Sequence, residues 1–188
     1  LESPDPDCPA MQGLSLRNCG VSVWERGKKK PVYTDFGELL FTHFGLSGPT
    51  ILSASAHMRR MEPGQYTVEI DLKPALDDAQ LDQRLLRDLE KNKNRNFGNA
   101  LGELLPQKMI PVVVRRSGIP PEEKCNAVTR EQRASLRTVL RHFRVEVSGF
   151  GPLSGAIVTA GGVSVREIDP KTMQSKRVPG LYFAGEVL

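Results

Sequence analysis

The order of hydrophobic patterns along the chain constrains its fold more than any other feature. Residues 65–72 alternate apolar and polar side chains, which is typical of a half-buried strand. From Pro74 the apolar period lengthens to three or four residues, and the alternation returns after His142. Neither end carries enough strands for a stable sheet of its own. We therefore predict an α+β fold, in which both ends of the chain build one small β-barrel-like subdomain around an inserted helical subdomain.

The N-terminal part predicts a hairpin and then a strand-to-helix turn. A Gly-Lys-Lys-Lys turn at 27–30 separates two apolar segments, and residues 39–41 follow as another short strand. A helix is expected to begin at residues 47–49, because Pro49 suits the first turn of a helix. We expect one sheet to unite strands from both ends of the chain, at 13–23, 30–35, 65–72, 145–147 and 156–159.

Two capping boxes mark the helical insertion. Asp77 with Gln80, and Thr129 with Gln132, have the spacing at which side chains cap the first turn of a helix. Between these helices, residues 100–105 and 108–116 are predicted to form two shorter ones. The changes in pattern divide the chain into β-rich, helical, returning β-rich and final segments, at 1–73, 74–143, 144–170 and 171–188.

Composition narrows the classes of function. The 188 residues carry a net charge of +4, which permits a phosphate or nucleic-acid partner without requiring one. No apolar run approaches the length of a membrane span, so we expect no membrane partner. Three cysteines without a CxxC pair indicate a reducing cytoplasm, and three scattered histidines give no reason to expect a metal site.

Five arginines, Arg130, Arg133, Arg137, Arg141 and Arg144, recur along one predicted helix at steps of three and four residues. Such a row could bind a nucleic-acid backbone, but no aromatic residue lies between the arginines to stack on bases. Solvated arginines, or salt bridges to a neighbouring element, are the more usual meaning. We predict a solvent-facing row without function. A nucleic-acid-binding module, and a partner-docking domain that uses the helical insertion, remain the alternatives.

Two motifs in the chain invite a functional interpretation. His43 lies just before the predicted helix start, where it could transfer protons near neutral pH. From the residues alone we favour the other interpretation, a hydrogen-bonded core histidine that fixes the turn. The glycine-rich segment 149–155 does not match GxGxxG, and Pro152 lacks the amide N–H that a phosphate would need. We interpret that segment as a loop.

Glycines near the end of the chain suggest close approach to a ligand. Gly161 and Gly162 are adjacent in a strand-like segment that glycine would weaken, which favours either a backbone lying against a planar ligand or a β-bulge. Residues 181–184 are predicted to form a short buried strand that runs into a turn at Gly185 and Glu186. Because a chain rarely stops in such a turn, we expect Leu188 to lie inside a longer protein.

Segments 37–49, 158–163 and 172–188 resemble bacterial NAD(P)/FAD-dependent oxidoreductases of the aminoacetone oxidase (YhiN-like) family. The resemblance implies an N-terminal Rossmann-like half that holds FAD, with a β-barrel and a helical subdomain inserted into it. This chain would be that inserted region, and residues 171–188 would begin the strand that leads back to the FAD-binding domain.

The resemblance also implies a role for the chain. It would form the substrate-side cap and part of the flavin pocket of an FAD-dependent oxidoreductase, for which NAD(P)H is a possible reductant. Without the other half the chain is not expected to hold FAD or to be an enzyme by itself. His43 gains weight as a catalytic candidate. Cofactor contacts are implied for Thr159, Ala160, Gly161, Gly162 and Val163, and for Gly185 and Glu186.

Overall fold

The computed structural model describes residues 1–157 and 161–188. Contacts between Cα atoms divide the chain into two compact units, Leu1–Gly155 and Ala156–Leu188. The first unit contains the sheet and the longer helices. The second consists of turns and short 3₁₀ segments.

Strands from both ends of the chain form one antiparallel sheet, as predicted. Its order is β3-β2-β1-β4-β5, so the last strand in sequence pairs with β4 at one edge. The hairpin of β1 and β2 is the one predicted around the lysine turn, and the expected short strand at 39–41 is the end of β2. The strands are β1 (Ser15–Glu25), β2 (Tyr33–Thr42), β3 (Gly45–Ser47), β4 (Tyr66–Asp71) and β5 (Phe143–Val147).

The N-terminal residues connect the two edges of this sheet. Glu2 forms isolated bridges with Gly45, at the start of β3, and with Gly149, just after β5. The Glu2 amide donates to the Gly149 carbonyl at 2.8 Å. Gly45 has φ +147°, and a Cβ there would collide with the Leu1 carbonyl and stand 2.8 Å from the Ser3 amide nitrogen. Glycine at this position therefore allows the curled sheet to close into a barrel.

Alternate residues of the strands fill the barrel interior, as the period of two requires. The rings of Phe41 and Phe143 meet edge to face, with centroids 6.2 Å apart. Other fully buried strand residues include Val21, Val23, Leu39, Val68, Ile70 and Val145.

The helices follow the predicted pattern. Both capping boxes are present: the Gln80 amide donates to the Asp77 side chain at 2.8 Å, and the Gln132 amide donates to Thr129 at 3.2 Å. Residues 100–105 form only a short 3₁₀ turn, because Gly102 weakens a helix and Pro106 ends it. The helices are α1 (Asp7–Ala10), α2 (Pro49–Ser55), α3 (Asp78–Lys91), α4 (Ile110–Ser117) and α5 (Arg130–Arg141).

An ion-pair network around the buried Asp7 carboxylate fixes α4 to the barrel. The guanidinium of Arg116 contacts the carboxylates of Asp7 and Asp5, each at 2.6 Å, and lies 4.0 Å from the centre of the Phe143 ring. Arg115 also pairs with Asp7. Because these ion pairs join the N-terminal segment to α4, and Arg116 also lies over Phe143 of β5, they hold the helical insertion in a fixed position against the barrel.

One strand predicted near the end of the chain has a different outcome. Ala156 and Ile157 lie outside any strand, and Val158, Thr159 and Ala160 fall outside the described residues, so the strand predicted at 156–159 is not found where it can be observed. No helix among the described residues is long and apolar enough to cross a membrane.

Candidate functional site

The unit Ala156–Leu188 brings two predicted cofactor segments together. The Val163 amide donates to the Val187 carbonyl at 2.8 Å. A Cβ on Gly162 would stand 2.6 Å from the same carbonyl oxygen. Gly162 is therefore needed for packing against the Gly185–Val187 turn, whatever else the segment does. We refer to residues 161–163 and 185–187 as the paired glycine segments.

The other two glycines of the paired segments face open space. Gly161 has φ +96° and Gly185 has φ +79°, conformations that favour glycine. Among the described residues, no heavy atom lies within 4 Å of a Cβ built on either. The hydrogen bond to Val187 occupies the Val163 amide, which leaves the amides of Gly161 and Gly162 as candidate donors. Thr159 and Ala160 lie outside the described residues, as does the side chain of Glu186.

Hydrogen-bonded turns shape the rest of this unit. The Asp169 carboxylate accepts hydrogen bonds from the amides of Lys171 and Thr172, at 2.8 and 3.2 Å, and these bonds lower the pKa of that carboxyl. Tyr182 forms one isolated bridge with Gln174. The prediction of a buried strand at 181–184 is wrong in this unit, because Tyr182 is 60% exposed.

His43 is an exposed turn residue. It lies between β2 and β3, and its ring meets the edge of Phe44 at 5.0 Å between centroids. The interpretation as a core histidine that fixes the turn is wrong, because the Thr42 hydroxyl makes the bond that holds the turn, accepting from the Gly45 amide at 3.1 Å. The His43 side chain is therefore accessible from solvent.

The arginine row is largely occupied by ion pairs. Arg133 donates to Asp82 on α3 at 2.9 Å, and Arg137 lies 3.5 Å from the same carboxylate. The hydrogen bond from Arg133 lowers the pKa of Asp82. The prediction of a solvent-facing row is wrong here, because the Arg133 side chain is only 14% exposed. These pairs join α5 to α3.

Arg141 has the most partners of the row. It pairs with Asp71 at 2.8 Å and Asp78 at 3.2 Å, and also donates to the Leu76 carbonyl. Its side chain, like that of Arg133, is 14% exposed. Arg144 lies on β5 and not on the helix as predicted, because α5 ends at Arg141, and it pairs with Glu69 at 2.7 Å. Arg130 alone of the row is exposed without an ion pair to any residue in the described ranges. The row therefore serves packing, and the salt-bridge interpretation describes it best.

A β-bulge in β1 opens a cleft between the sheet and the helical insertion. Leu16 pairs with Leu39 and Cys19 with Gly37, so Arg17 and Asn18 together oppose one residue of β2. The sequence contains a signal that we missed. Apolar positions advance by two along β1, except for the step of three from Leu16 to Cys19.

The Cys19 thiol stabilises this bulge. Its sulfur lies 3.8 Å from the Leu16 carbonyl oxygen and 3.5 Å from that of Gly37, on the two sides of the bulge. Burial raises the pKa of the thiol to about 11, so it stays protonated and can donate. The cleft has a volume of about 190 Å³. Its lining combines the bulge with residues after β4 and before α4: Ser15, Leu16, Arg17, Asn18, Cys19, Leu72, Lys73, Leu105, Pro106 and Met109.

Comparison with known proteins assigns the chain to a family. Residues 1–158 match the family described as "HI0933-like protein barrel and H2TH domain", and the chain belongs to it. The barrel that this description names is the one formed by β1 to β5. A relative named ribosomal RNA dihydrouridine synthase, from Escherichia coli K12, is 36% identical over 150 residues, which cover 80% of this chain and 36% of the relative.

Two further relatives match a similar share of the chain. The Haemophilus influenzae protein of the same name is 32% identical, over 81% of this chain and 36% of its own length. A 3-dehydro-bile acid delta(4,6)-reductase from Clostridium scindens is 26% identical, over 82% of this chain and 38% of its own length. The chain thus spans about a third of the length of these relatives. Their names agree with the broad class that the resemblance implied, the flavoprotein oxidoreductases.

Proposed function

We propose that this chain is the barrel and helical region of a flavin-dependent reductase, and that its paired glycine segments border the flavin. The substrate-side cap is then formed by the barrel and helical region. Most of the FAD would be held by the remaining part of the protein, in the Rossmann-like half that the resemblance implies. The observation that carries this proposal is that a Cβ on Gly161 or on Gly185, in the paired glycine segments, would meet no heavy atom of the described residues within 4 Å.

The paired glycine segments fit a flat, electron-rich ligand. Gly161 and Gly185 present backbone without a side chain to open space, so a planar group can approach closely. The amides of Gly161 and Gly162 would donate to the ligand edge and stabilise negative charge there. Gly162 by itself argues for no ligand, because packing against Val187 already requires glycine. The argument therefore rests on Gly161 and Gly185.

The relatives' names suggest the type of reaction. Dihydrouridine differs from uridine by two hydrogens across a carbon–carbon double bond, and a delta(4,6)-reductase also acts on carbon–carbon double bonds. Such a reduction places a hydride on one carbon and a proton on the other. FAD, when bound, supplies hydride-transfer chemistry, with NAD(P)H as the source of electrons. These names favour reduction as the direction of the reaction.

The proposed substrate is a uridine of ribosomal RNA. The two relatives with that name are more similar to this chain than the bile acid reductase is, and the net charge of +4 suits an RNA partner. A cytoplasmic location is part of the proposal, because Cys8, Cys19 and Cys125 are all free and buried, as a reducing compartment allows.

The test uses the whole protein, since the chain alone lacks most of the implied cofactor site. The purified protein, with NADPH or NADH, is incubated with ribosomal RNA from a strain that lacks its gene, and the nucleosides are analysed by mass spectrometry. We expect dihydrouridine to form only when the reductant is present. Flavin-containing protein that leaves every uridine unchanged would refute the RNA substrate. A protein purified without flavin would refute the proposal as a whole.

A further inference from the structure

The β1 bulge and the end of β4 bring two cationic side chains to one cleft. Antiparallel pairing places Gly20 opposite Asp71, so the start of β1 and the end of β4 lie at the same end of the barrel. Arg17 and Asn18 reach this end from the bulge, and Lys73 reaches it just after β4. The bulge that the Cys19 thiol stabilises therefore places Arg17 and Asn18 in the same cleft as Lys73.

These cations have no acidic partner within the described residues. Arg17 and Lys73 form no ion pair there, and Asp88, whose charge raises the pKa of Lys73, already pairs with Arg84 at 2.7 Å. Asp71 pairs with Arg141 at 2.8 Å, and Glu38 accepts a hydrogen bond from the Ser15 hydroxyl. Burial, and then the charge of a neighbouring arginine, lower the pKa of Lys73. An anion in the cleft would compensate for both effects.

The cleft also has an apolar side. Leu16, Leu72, Leu105 and Met109 line it together with the cations. An apolar wall beside a cationic rim suits a nucleotide, whose sugar and base contact the wall while its phosphate meets the cations. Because Arg17 and Asn18 are exposed, the polynucleotide chain can continue beyond the cleft on the protein surface.

We propose that this cleft binds a nucleotide of the RNA substrate, with its phosphate held by Arg17 and Lys73 and with Asn18 donating a further hydrogen bond. The inference rests on the proposed function, because that function supplies the RNA. It adds a binding site on the barrel that is distinct from the paired glycine segments.

The experiment measures binding of a fluorescein-labelled single-stranded oligouridylate to the whole protein at several salt concentrations. Arg17→Gln should weaken binding about fivefold, as expected for an exposed ionic contact. Lys73→Gln should weaken it about tenfold, because a half-buried charge loses more. The double variant should also lower the slope of log affinity against log salt by about 0.7, the contribution of the one phosphate that both cations hold on a single strand.

A matched control separates a local effect from the loss of net charge. Arg130→Gln removes the same charge from an exposed position on α5, about 17 Å along the helix from Arg141 and hence away from the cleft. This control should change the affinity by less than about twofold. Arg17→Lys, which keeps the charge, should retain the salt slope. Thermal unfolding and flavin content of every variant report whether it is folded.

Four results would overturn the inference. The first two are no binding by the unmodified protein at low salt, and equal affinity of the double variant and the unmodified protein. The other two are a loss of affinity in Arg130→Gln as large as that in Arg17→Gln, and displacement of the oligonucleotide by inorganic phosphate as readily as by unlabelled RNA. Displacement by micromolar NADPH would assign the cleft to the reductant instead. The dihydrouridine assay tests the proposed function separately: flavin-containing protein that makes no dihydrouridine would refute that function.

Discussion

Replacing Arg141 with glutamine should destabilise the fold, contrary to what its place in a charged row suggests. Its ion pair with Asp71 is largely buried, since the two side chains are 14% and 27% exposed. A hydrogen bond to a charged group contributes about 1.5–3 kcal/mol, and the Leu76 carbonyl would also lose its donor. The pair with Asp78 adds little, because that carboxylate is 74% exposed. We expect a loss of about 2–3 kcal/mol in the free energy of unfolding.

Thermal and urea unfolding of the 188-residue chain measure this loss. At about 2–4 °C for each kcal/mol in a chain of this size, the melting temperature of Arg141→Gln should fall by about 4–12 °C. Arg137→Gln breaks a longer, more exposed pair and should cost about 0.2–1 kcal/mol. Arg130→Gln is the control and should cost less than about 0.5 kcal/mol. Equal stability of all three variants would show that the row is solvated, and would refute the packing role of Arg141.

Three smaller predictions concern the barrel closure, the thiols and acid stability. Gly45→Ala should lower the free energy of unfolding by more than about 2 kcal/mol, because the added Cβ meets backbone atoms. Gly27→Ala, at φ +82° with no described heavy atom within 4 Å of its Cβ, should lower it by only about 1 kcal/mol. Equal losses would argue against closure of the barrel through Glu2. The three cysteines should resist thiol reagents at pH 8 and react only in urea. Burial raises the pKa of Cys8 and Cys19 to about 11 and also raises the pKa of Cys125, so little thiolate is present. Rapid labelling of the native chain would contradict this prediction. The lowered pKa of Asp82 means that its pair with Arg133 stabilises the fold above pH 3.8, the ordinary value, and that this contribution disappears as the pH falls through the lower folded pKa. Asp82→Asn should therefore flatten the unfolding free energy below pH 3.8, and an unchanged acid profile would refute the role of that pair.

The sequence predicted those parts of the fold that depend on local patterns. Capping boxes at Asp77 and Thr129 depend on residues three apart, and strand alternation depends on neighbours, so both can be recognised without tertiary contacts. The barrel closure could not be predicted in this way. Glu2 lies in a segment without periodicity, and its bridges to Gly45 and Gly149 join residues that are remote in sequence.

The same distinction applies to the candidate sites. The arginine row was visible, but its partners Asp82 and Asp71 lie on elements that the sequence does not place beside α5. The sequence analysis missed the cleft. The step of three in β1 indicates a site only when it is known that sheet pairing brings Lys73, which follows β4, to the same cleft. The glycines near the end of the chain were recognised individually, whereas the contact of Gly162 with Val187 emerged only from the structure.

The central claim, that the paired glycine segments border the flavin, is tested most directly by the flavin content of two alanine variants of the whole protein. Gly161→Ala and Gly180→Ala are closely matched, because both glycines lie in the unit Ala156–Leu188, at φ +96° and +81°, and a Cβ on either meets nothing within 4 Å in the described parts of the chain. The backbone strain should therefore be similar, about 1–2 kcal/mol in each variant. We predict that Gly161→Ala loses flavin, with an affinity at least about tenfold weaker, while Gly180→Ala retains it. Equal flavin content in the two variants would contradict the claim.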